Sequence, residues 1–314
     1  MTAEEIAAAY AVDAVLGDPK TWPHPVRLLG WMVNQGERWI RKSARSERGL
    51  RAGGIVLTAG LSSLAYATTW GLVQGAAGVS HWLGMATTIY LAYTTLAARD
   101  LHDHAAGILA ALDRHDLSTA RLALSLIVGR DTEKLEEPEV IRATVEAIAE
   151  NASDGVVAPL LYLAVGGAPL AMAYKAVNTL DSMVGYRTSQ YRSLGWASAR
   201  LDDVMNFIPA RLTGLLFVCA AFVWGLHGRV AWQVMRRDGH RHPSPNSGVP
   251  EAAMAGALGV RLGGTNYYHG VRSERPLLGD PREGLEPCHI RMALKLMWSA
   301  SWFLFLAILV GKVM

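Results

Sequence analysis

The sequence has few charged residues for its length. Only 18% of its 314 positions are Asp, Glu, Lys or Arg, against roughly 25% in an ordinary soluble domain. The two cysteines, Cys219 and Cys288, are too few for a metal cluster or a disulfide framework, so we interpret both as structural. A formal net charge of +3, with arginines dispersed among acidic residues, argues against a nucleic-acid-binding protein.

The missing charges are concentrated in long windows. Residues 52–98 contain no Asp, Glu, Lys or Arg over 47 positions. Because a hydrocarbon core of ~30 Å needs about 20 apolar residues per crossing, we interpret this window as two membrane helices joined by a turn at Gln74–Gly78. Shorter uncharged windows follow later in the chain. Together they predict spans near residues 54–74, 79–98, 156–174, 208–228 and 293–313.

The sequence therefore predicts an all-α fold: a polytopic helical membrane protein that forms one domain over residues 1–314, with an ordered cytoplasmic loop region at 229–292. The alternative is a large soluble all-α core, because buried helices can also be uniformly apolar. Lys and Arg are frequent in residues 38–51 and absent from residues 75–80. By the positive-inside rule, we expect residues 38–51, residues 99–154 and the loop region to face the cytoplasm.

Glycine and proline predict three interruptions. Residues 126–132 break the helical periodicity of residues 99–154, and residues 236–287 are too rich in Gly and Pro for long helices. No alternating run indicates a sheet. We also expect a broken helix in the span near 156–174, which is tolerated where it is buried in protein, because it contains Pro159, Gly166, Gly167 and Pro169.

Polar side chains recur at helical spacing beside the apolar windows. For Arg142 and Glu146 alone, we expect an i,i+4 ion pair on a solvated helix face. Acidic oxygen ligands near cations suit Mg²⁺ and phosphate groups, whereas the alternative is a seam of buried ion pairs between helices. The three stripes consist of Arg142, Glu146, Glu150 and Asp154; of Lys175, Asn178 and Asp181; and of Arg200, Asp202, Asp203, Asn206 and Arg211.

No familiar nucleotide-binding motif accompanies these stripes. The sequence lacks G-x-x-x-x-G-K-[ST], and Gly259–Gly264 does not follow a convincing strand. The pairs His102 with His104 and His240 with His242 have no cysteine or paired acid at metal-ligand spacing. We therefore interpret these histidines as surface or loop residues.

Nine short motifs occur in a recognisable order along the chain. They are DAVLGDP at 13–19, PHPVR at 23–27, VGRDT at 128–132, AENASDG at 149–155, YKAVNTLDSMVGY at 174–186, DDVMN at 202–206, PARLT at 209–213, PNSG at 245–248 and EAAMAG at 251–256. With these motifs the sequence resembles the CobD/CbiB family, the adenosylcobinamide-phosphate synthases of cobalamin biosynthesis. The resemblance extends from about residue 10 to residue 280.

The resemblance implies an ATP-dependent carbon–nitrogen ligase. Members join an aminopropanol, generally as its O-phosphate, to a propionate side chain of adenosylcobyric acid, with ATP and Mg²⁺. The expected setting is a multi-pass protein of the cell membrane whose active site faces the cytoplasm. Its expected partners are these two substrates, the lipid bilayer and other membrane proteins of the cobalamin pathway, but no nucleic acid. The alternatives are a membrane Mg²⁺-dependent transferase acting on a lipid phosphate and a non-catalytic scaffold of the corrinoid pathway.

Residue chemistry suggests roles for individual positions in such a reaction. A carboxylate is a poor electrophile at neutral pH, so the site must stabilise phosphate charge while ATP converts it to an acyl phosphate. As catalytic residues we predict Glu150, Asp154, Lys175, Asp181 and Asp202, and as Mg²⁺ ligands Glu150, Asp181, Asp202 and Asp203. As substrate-binding residues we predict Asp131, Asn151, Asn178, Arg187, Arg192, Asn206, Arg211, Asn246, Ser247 and Glu251, with Asn246, Ser247, Glu251 and the Gly263–Gly264 pair against the corrin.

Overall fold

The computed structural model describes residues 1–19, 24–186, 188–268 and 270–313. It is 74% helical and contains one small two-stranded sheet, which confirms the all-α class. The described residues form two compact units, each assembled from separate stretches of chain. Unit 1 comprises residues 1–97, 158–206 and 308–314, and unit 2 comprises residues 98–157 and 207–307.

Unit 1 is built from long helices. They are α1 (Ala3–Leu16), α2 (Pro25–Ser43), α3 (Glu47–Val79), α4 (His81–Tyr93), α8 (Ala158–Val184) and α9 (Trp196–Met205). Helix α3 packs along α8 around Leu61, Ala176 and Leu180. Gly54 lies against the carbonyl of Leu194, where a Cβ atom would clash, so glycine permits this close backbone approach.

Unit 2 contains the remaining elements. They are α5 (Ala98–Asp113), α6 (Leu117–Leu124), α7 (Glu137–Ala152), α10 (Phe207–Val223), α11 (Gly228–Asp238), α12 (Gly248–Leu258), β1 (Leu262–Tyr268), β2 (Val271–Leu278) and most of α13 (Pro287–Val313). A π-helical turn, Ser153–Val157, follows α7. Every residue of α12 except Val249 is buried, and Gly256 allows the helix to approach the backbone of α11 at Ala231.

Among the described residues, three helices are long and apolar enough to cross a membrane: Glu47–Val79, Glu137–Val184 and Pro287–Lys312. A fourth crossing results if α9 and α10 together form one broken span. On α3, more than half of the surface of Val56, Trp70 and Leu72 is exposed, as expected of a helix that faces lipid. The chain is thus a polytopic helical membrane protein.

The turn expected at Gln74–Gly78 does not form. Helix α3 continues through this stretch to Val79, because its small residues do not interrupt a helix, and the break falls at Ser80. The Ser80 hydroxyl accepts a hydrogen bond from the backbone N–H of Leu83 (3.1 Å) and caps α4. Helix α4 has only 13 residues, or about 20 Å at 1.5 Å per residue.

Two of the three interruptions expected from glycine and proline are confirmed. Gly167 has φ 68° and ψ −166° inside α8, two residues before Pro169. Residues 125–136 separate α6 from α7 and include the expected break at 126–132.

The loop region contains more regular structure than expected, because α11, α12 and the hairpin β1–β2 all lie within residues 228–278. The hairpin was not predicted, since Gly263 (φ 82°) and Gly264 (φ 94°) form a bulge and the strand shows no clean alternation of buried and exposed residues.

Candidate functional site

Two buried arginines of unit 2 surround the carboxylate of Glu146 on α7. Arg130 Nη2 lies 2.5 Å from Glu146 Oε2, and Arg142 Nη1 lies 3.2 Å from Glu146 Oε1. The side chains of Arg130, Arg142 and Glu146 are 6%, 9% and 2% exposed, respectively. The Arg142–Glu146 ion pair was therefore predicted correctly, but its expected position on a solvated helix face is wrong: loop 125–136 and strand β1 cover it.

Strand β1 closes this cluster from the other end of the chain. The backbone N–H of Gly263 donates to Glu146 Oε1 (2.7 Å), while Arg142 donates to the carbonyls of Gly263 (2.5 Å) and Thr265 (3.1 Å). Both arginines also donate to Asn266 Oδ1, at 2.8 Å from Arg130 and 3.2 Å from Arg142. Glu146 is thus fully engaged by donors and holds helix, loop and hairpin together.

A second group of titratable residues joins α12 to the loop before it. His242 Nδ1 accepts a hydrogen bond from the backbone N–H of Ser244 (3.1 Å), which places the proton of the neutral ring on Nε2. Nε2 lies 4.0 Å from Glu251 Oε1 and 3.5 Å from Arg275 Nη1.

The charge states of this second group follow from burial. Burial raises the pKa of Glu251 well above its usual range, and the negative charges of Glu146 and Glu150 raise it further. Burial also lowers the pKa of His242, as does the positive charge of Arg275. Both shifts favour the neutral forms of the two side chains.

Several predicted substrate residues lie beside this group. Ser247 Oγ donates to Glu150 Oε1 (2.9 Å), so two residues separated by 97 positions meet. Arg211 donates to Asn246 Oδ1 (3.2 Å), and its guanidinium lies 3.5 Å from the ring centroid of Phe207. The structure thus brings Glu150, Arg211, Asn246, Ser247 and Glu251 together within unit 2. Asn246 and Glu251 are only 5% and 1% exposed, so neither forms an open surface.

Three more predicted residues of unit 2 have local contacts. Asn151 donates to the carbonyl of Ala147 (2.9 Å). Asp154 lies in the π-helical turn. Because this turn departs from α-helical geometry, the spacing of four residues from Glu150 does not place Asp154 on the same helix face. Asp131 accepts from the backbone N–H of Gly270 (2.7 Å), and its own N–H donates to the carbonyl of Tyr267 (2.8 Å). Asp131 therefore fastens loop 125–136 to the turn of the hairpin.

The remaining described candidates belong to unit 1. Lys175, Asn178 and Asp181 lie on α8 and are partly buried, and Arg192 is exposed. On α9 and just after it, Asn206 Nδ2 donates to Asp202 Oδ2 (3.0 Å) and Asn206 Oδ1 accepts from the Tyr174 hydroxyl (2.8 Å). Asp203 lies 3.8 Å from Arg200. Arg187 lies outside the described residues.

The carboxylates do not form a metal cage of their own. Among the described residues, no group of three or more His, Cys, Asp and Glu side chains could hold a metal ion. Mg²⁺, however, is usually bound by one or two carboxylates together with substrate phosphates. Glu146 does not suit this role because arginine and backbone donors occupy both its oxygens. Glu150 suits it better, since it is only partly buried and accepts a single described hydrogen bond, from Ser247.

Sequence reasoning missed four residues of the site. Arg130 belongs to a quoted motif but was assigned no role, and His242 was interpreted as an ordinary loop residue. Asn266 and Arg275 lie in a hairpin that was not expected. Within the Glu146 cluster, Arg142 and Glu146 were indicated in advance, through their places in the stripe at intervals of four.

A polytopic helical membrane protein with a buried acid–arginine cluster is the class that the fold and site define. A family model described as "CobD/Cbib protein" matches residues 6–297. The chain belongs to this family.

Curated relatives support the assignment. "Cobalamin biosynthesis protein CobD" of Geobacter metallireducens is 50% identical over 301 residues, covering 96% of this chain and 94% of the relative. Its namesake in Klebsiella pneumoniae is 46% identical, covering 99% and 97%. "Cobalamin biosynthesis protein CbiB" of Salmonella typhimurium is 44% identical, covering 96% and 95%. No solved structure matches the chain significantly.

Proposed function

We propose that this protein is an ATP- and Mg²⁺-dependent ligase that joins aminopropanol phosphate to a propionate side chain of adenosylcobyric acid, giving adenosylcobinamide phosphate. Membership of a family whose curated relatives are named for cobalamin biosynthesis supports a corrinoid substrate. The observation that carries the proposal is the grouping of Glu150, Ser247, His242 and Glu251 beside the Glu146 cluster in unit 2. Such a group offers both charged and neutral acids within one protein environment.

The reaction needs two bond-forming steps. The propionate carboxylate first takes the γ-phosphoryl group of ATP, giving an acyl phosphate and ADP. The amine then attacks the acyl carbon, and phosphate leaves as the amide forms. Because the amine enters as an ammonium, it must lose a proton before it can attack.

Different residues of unit 2 suit different steps of this reaction. Glu146 is held by two arginines and is unsuited to proton transfer. Glu150, hydrogen-bonded only to the Ser247 hydroxyl among its described contacts, is the carboxylate we assign to accept the ammonium proton or to hold Mg²⁺. Mg²⁺ bound there would neutralise phosphate charge. Neutral Glu251 can donate a hydrogen bond, and Arg211 can contact a phosphate oxygen.

We further propose that the protein lies in the cell membrane with this group facing the cytoplasm, where ATP is available. The assignments of Asp154, Lys175, Asn178, Asp181, Asp202, Asp203 and Asn206 remain part of the proposal. So does an association with other membrane proteins of the cobalamin pathway. The hydrogen bonds from Tyr174 through Asn206 to Asp202 are equally typical of a structural seam.

Reconstitution tests the proposal directly. The purified full-length protein in detergent should convert adenosylcobyric acid, ATP, Mg²⁺ and aminopropanol phosphate to a product with the mass of the amide, with one ADP formed per product. Glu150→Gln should lower turnover by roughly 10²-fold or more. Asp103→Asn, at an exposed position of α5, should not.

Three results would contradict the proposal. One is a folded protein that binds corrinoid but makes no product and hydrolyses no ATP, which would indicate a scaffold. Another is transfer to a lipid phosphate without any need for corrinoid. The third is full turnover in Glu150→Gln.

A further inference from the structure

Unit 2 also contains a large cavity whose lining includes neither Glu150 nor Ser247. It is a cleft of about 1110 Å³ between loop 125–136, α6 and the turn of the hairpin. Ligand pockets for drug-sized molecules measure roughly 300–1,000 Å³. The cleft is therefore large enough for a ligand bigger than a nucleotide or a short amino alcohol.

The walls of the cleft carry balanced charge. The described lining residues include three cations, Arg121, Arg130 and Lys134, and three carboxylates, Asp131, Glu133 and Glu139. A pocket for a nucleoside triphosphate or another polyanion needs an excess of positive charge, which these walls do not provide.

Apolar and hydroxyl groups complete the lining. Leu122 and Tyr267 are 69% and 46% exposed, so they offer apolar surface to a ligand. Ser118, Ser125 and Thr132 add hydroxyl groups that can both donate and accept hydrogen bonds. This mixture suits a bulky, amphipathic molecule with many amide groups, because an amide also donates and accepts.

Arg130 connects this cleft to the buried cluster. It lines the cleft, and its two described hydrogen bonds, to Glu146 and Asn266, use two of the five N–H groups of its guanidinium. A carboxylate on a ligand in the cleft would thus approach a guanidinium that Glu146 already holds in a fixed orientation.

We propose that this cleft binds the bulky, amide-rich substrate and presents one of its carboxylates towards Arg130. The inference rests on the proposed function for the identity of that substrate, the corrinoid. It places the corrin against α6 and loop 125–136 rather than against Asn246, Ser247 and Glu251, the residues predicted from the sequence to contact it. Arg130 is the specificity-determining residue of this arrangement.

A binding experiment without turnover tests the location. Adenosylcobyric acid is titrated into the full-length protein in detergent, with neither ATP nor amine, and bound corrinoid is read from its visible absorbance after equilibrium dialysis. Leu122→Trp fills the cleft from its rim and should raise the dissociation constant at least tenfold. Ser125→Trp provides a second filling variant if the first does not fold.

A closely matched control is available in the same segment. Leu126 is also 69% exposed, but it does not line the cleft, so Leu126→Trp should bind corrinoid like the unmodified protein. ATP binding should be unchanged in all three variants.

The outcomes separate the location from the function. Unchanged corrinoid binding in both filling variants would overturn the cleft proposal while leaving the proposed function intact. Loss of ATP binding instead would assign the cleft to the nucleotide. A folded, unmodified protein that binds no corrinoid would count against the proposed function itself. A tenfold weaker corrinoid affinity in Asn246→Ala, with no effect of Leu122→Trp, would place the corrin against the loop before α12 instead.

Discussion

Arg130 and Glu146 lie sixteen positions apart in the chain, yet their side chains form an ion pair of 2.5 Å that is almost completely buried. Arg142 binds the second oxygen of the same carboxylate. One negative charge is thus shared by two positive charges that have little contact with water. Its removal would leave both guanidinium groups without compensation.

Glu146→Ala should therefore destabilise the protein by about 3–5 kcal/mol, the usual cost of breaking a buried ion pair. Thermal unfolding in detergent is the measurement. Asp103→Ala is the control: it removes an exposed i,i+4 pair with Arg99 in the same unit and should change the free energy of unfolding by about 0.5 kcal/mol or less. Equal effects of the two variants would contradict the assigned role of Glu146.

Alanine substitutions at two glycines of unit 2 should change the stability of the protein in opposite directions. Gly263 has φ 82°, a Cβ there would meet the carbonyl of Pro276, and its backbone binds both Glu146 and Arg142. Gly263→Ala should cost about 2–4 kcal/mol. Gly107 is exposed within α5 with open space around it, so Gly107→Ala should stabilise by about 0.5–1 kcal/mol. The two melting temperatures must therefore move apart.

Glu251 should make stability depend on pH in an unusual direction. Because burial raises its pKa, the folded state binds this proton more tightly than the unfolded state does. The stabilisation is complete below the unfolded pKa of about 4.3 and is lost as pH rises through the folded pKa. Glu251→Gln should remove this loss, so melting curves of variant and unmodified protein should converge in acid and diverge in base.

Glu274 provides a control of opposite sign. Contacts with Arg272 and Thr265 lower its pKa, so its contribution is present above the unfolded pKa and is lost as pH falls. Glu274→Gln should therefore differ from the unmodified protein near neutral pH and converge with it in acid. A Glu251→Gln variant with the same pH dependence as the unmodified protein would argue against a neutral Glu251.

Asp181, in the stripe of Lys175, Asn178 and Asp181 on α8, can be tested for a role in catalysis. Asp181→Asn keeps the size of the side chain but removes its charge. Mg²⁺-dependent turnover should fall by roughly 10²-fold or more if this carboxylate binds metal or stabilises charge in the transition state. Asp113→Asn, at an exposed position of α5 that pairs with Arg291, should stay active. A fully active Asp181→Asn enzyme with an ordinary Mg²⁺ response would favour a structural role.

Membrane orientation can be tested at exposed positions. In a chain with Cys219→Ala and Cys288→Ala, an impermeant thiol reagent added outside the cell should label Ser80→Cys but neither Glu133→Cys nor Gly284→Cys. All three sites are exposed, whereas Arg130 and Asn246 are too buried to report on either side. Outside labelling of Glu133→Cys would reverse the proposed orientation.

Local patterns in the sequence predicted local structure well. The break at Gly167 and the pairing of Arg142 with Glu146 both depend on residues within a few positions of one another. The failures have different physical causes. Gln74–Gly78 contains good turn formers, but nothing in it prevents a helix, and the serine that caps the next helix decided the boundary.

The contacts that complete the site could not be predicted in this way. Arg142 meets the carbonyl of Gly263 across 121 positions, and Glu150 meets Ser247 across 97. Helical spacing indicates which side chains share a face but not which distant segment covers that face. His242 has no neighbouring residue that distinguishes it from a solvated loop histidine. Its burial against Glu251 became visible only in the folded chain.

The 121 positions between Arg142 and Gly263 also affect the biogenesis of the protein. A ribosome adds roughly 5–20 residues per second, so α7 emerges about 6–24 s before the strand that covers its charged face. During that interval Glu146 and its arginines are exposed beside a segment that is ready to enter the bilayer. Delayed release of this segment by the insertion machinery, or protection by a chaperone, would prevent its insertion into the bilayer before β1 covers the charged side chains.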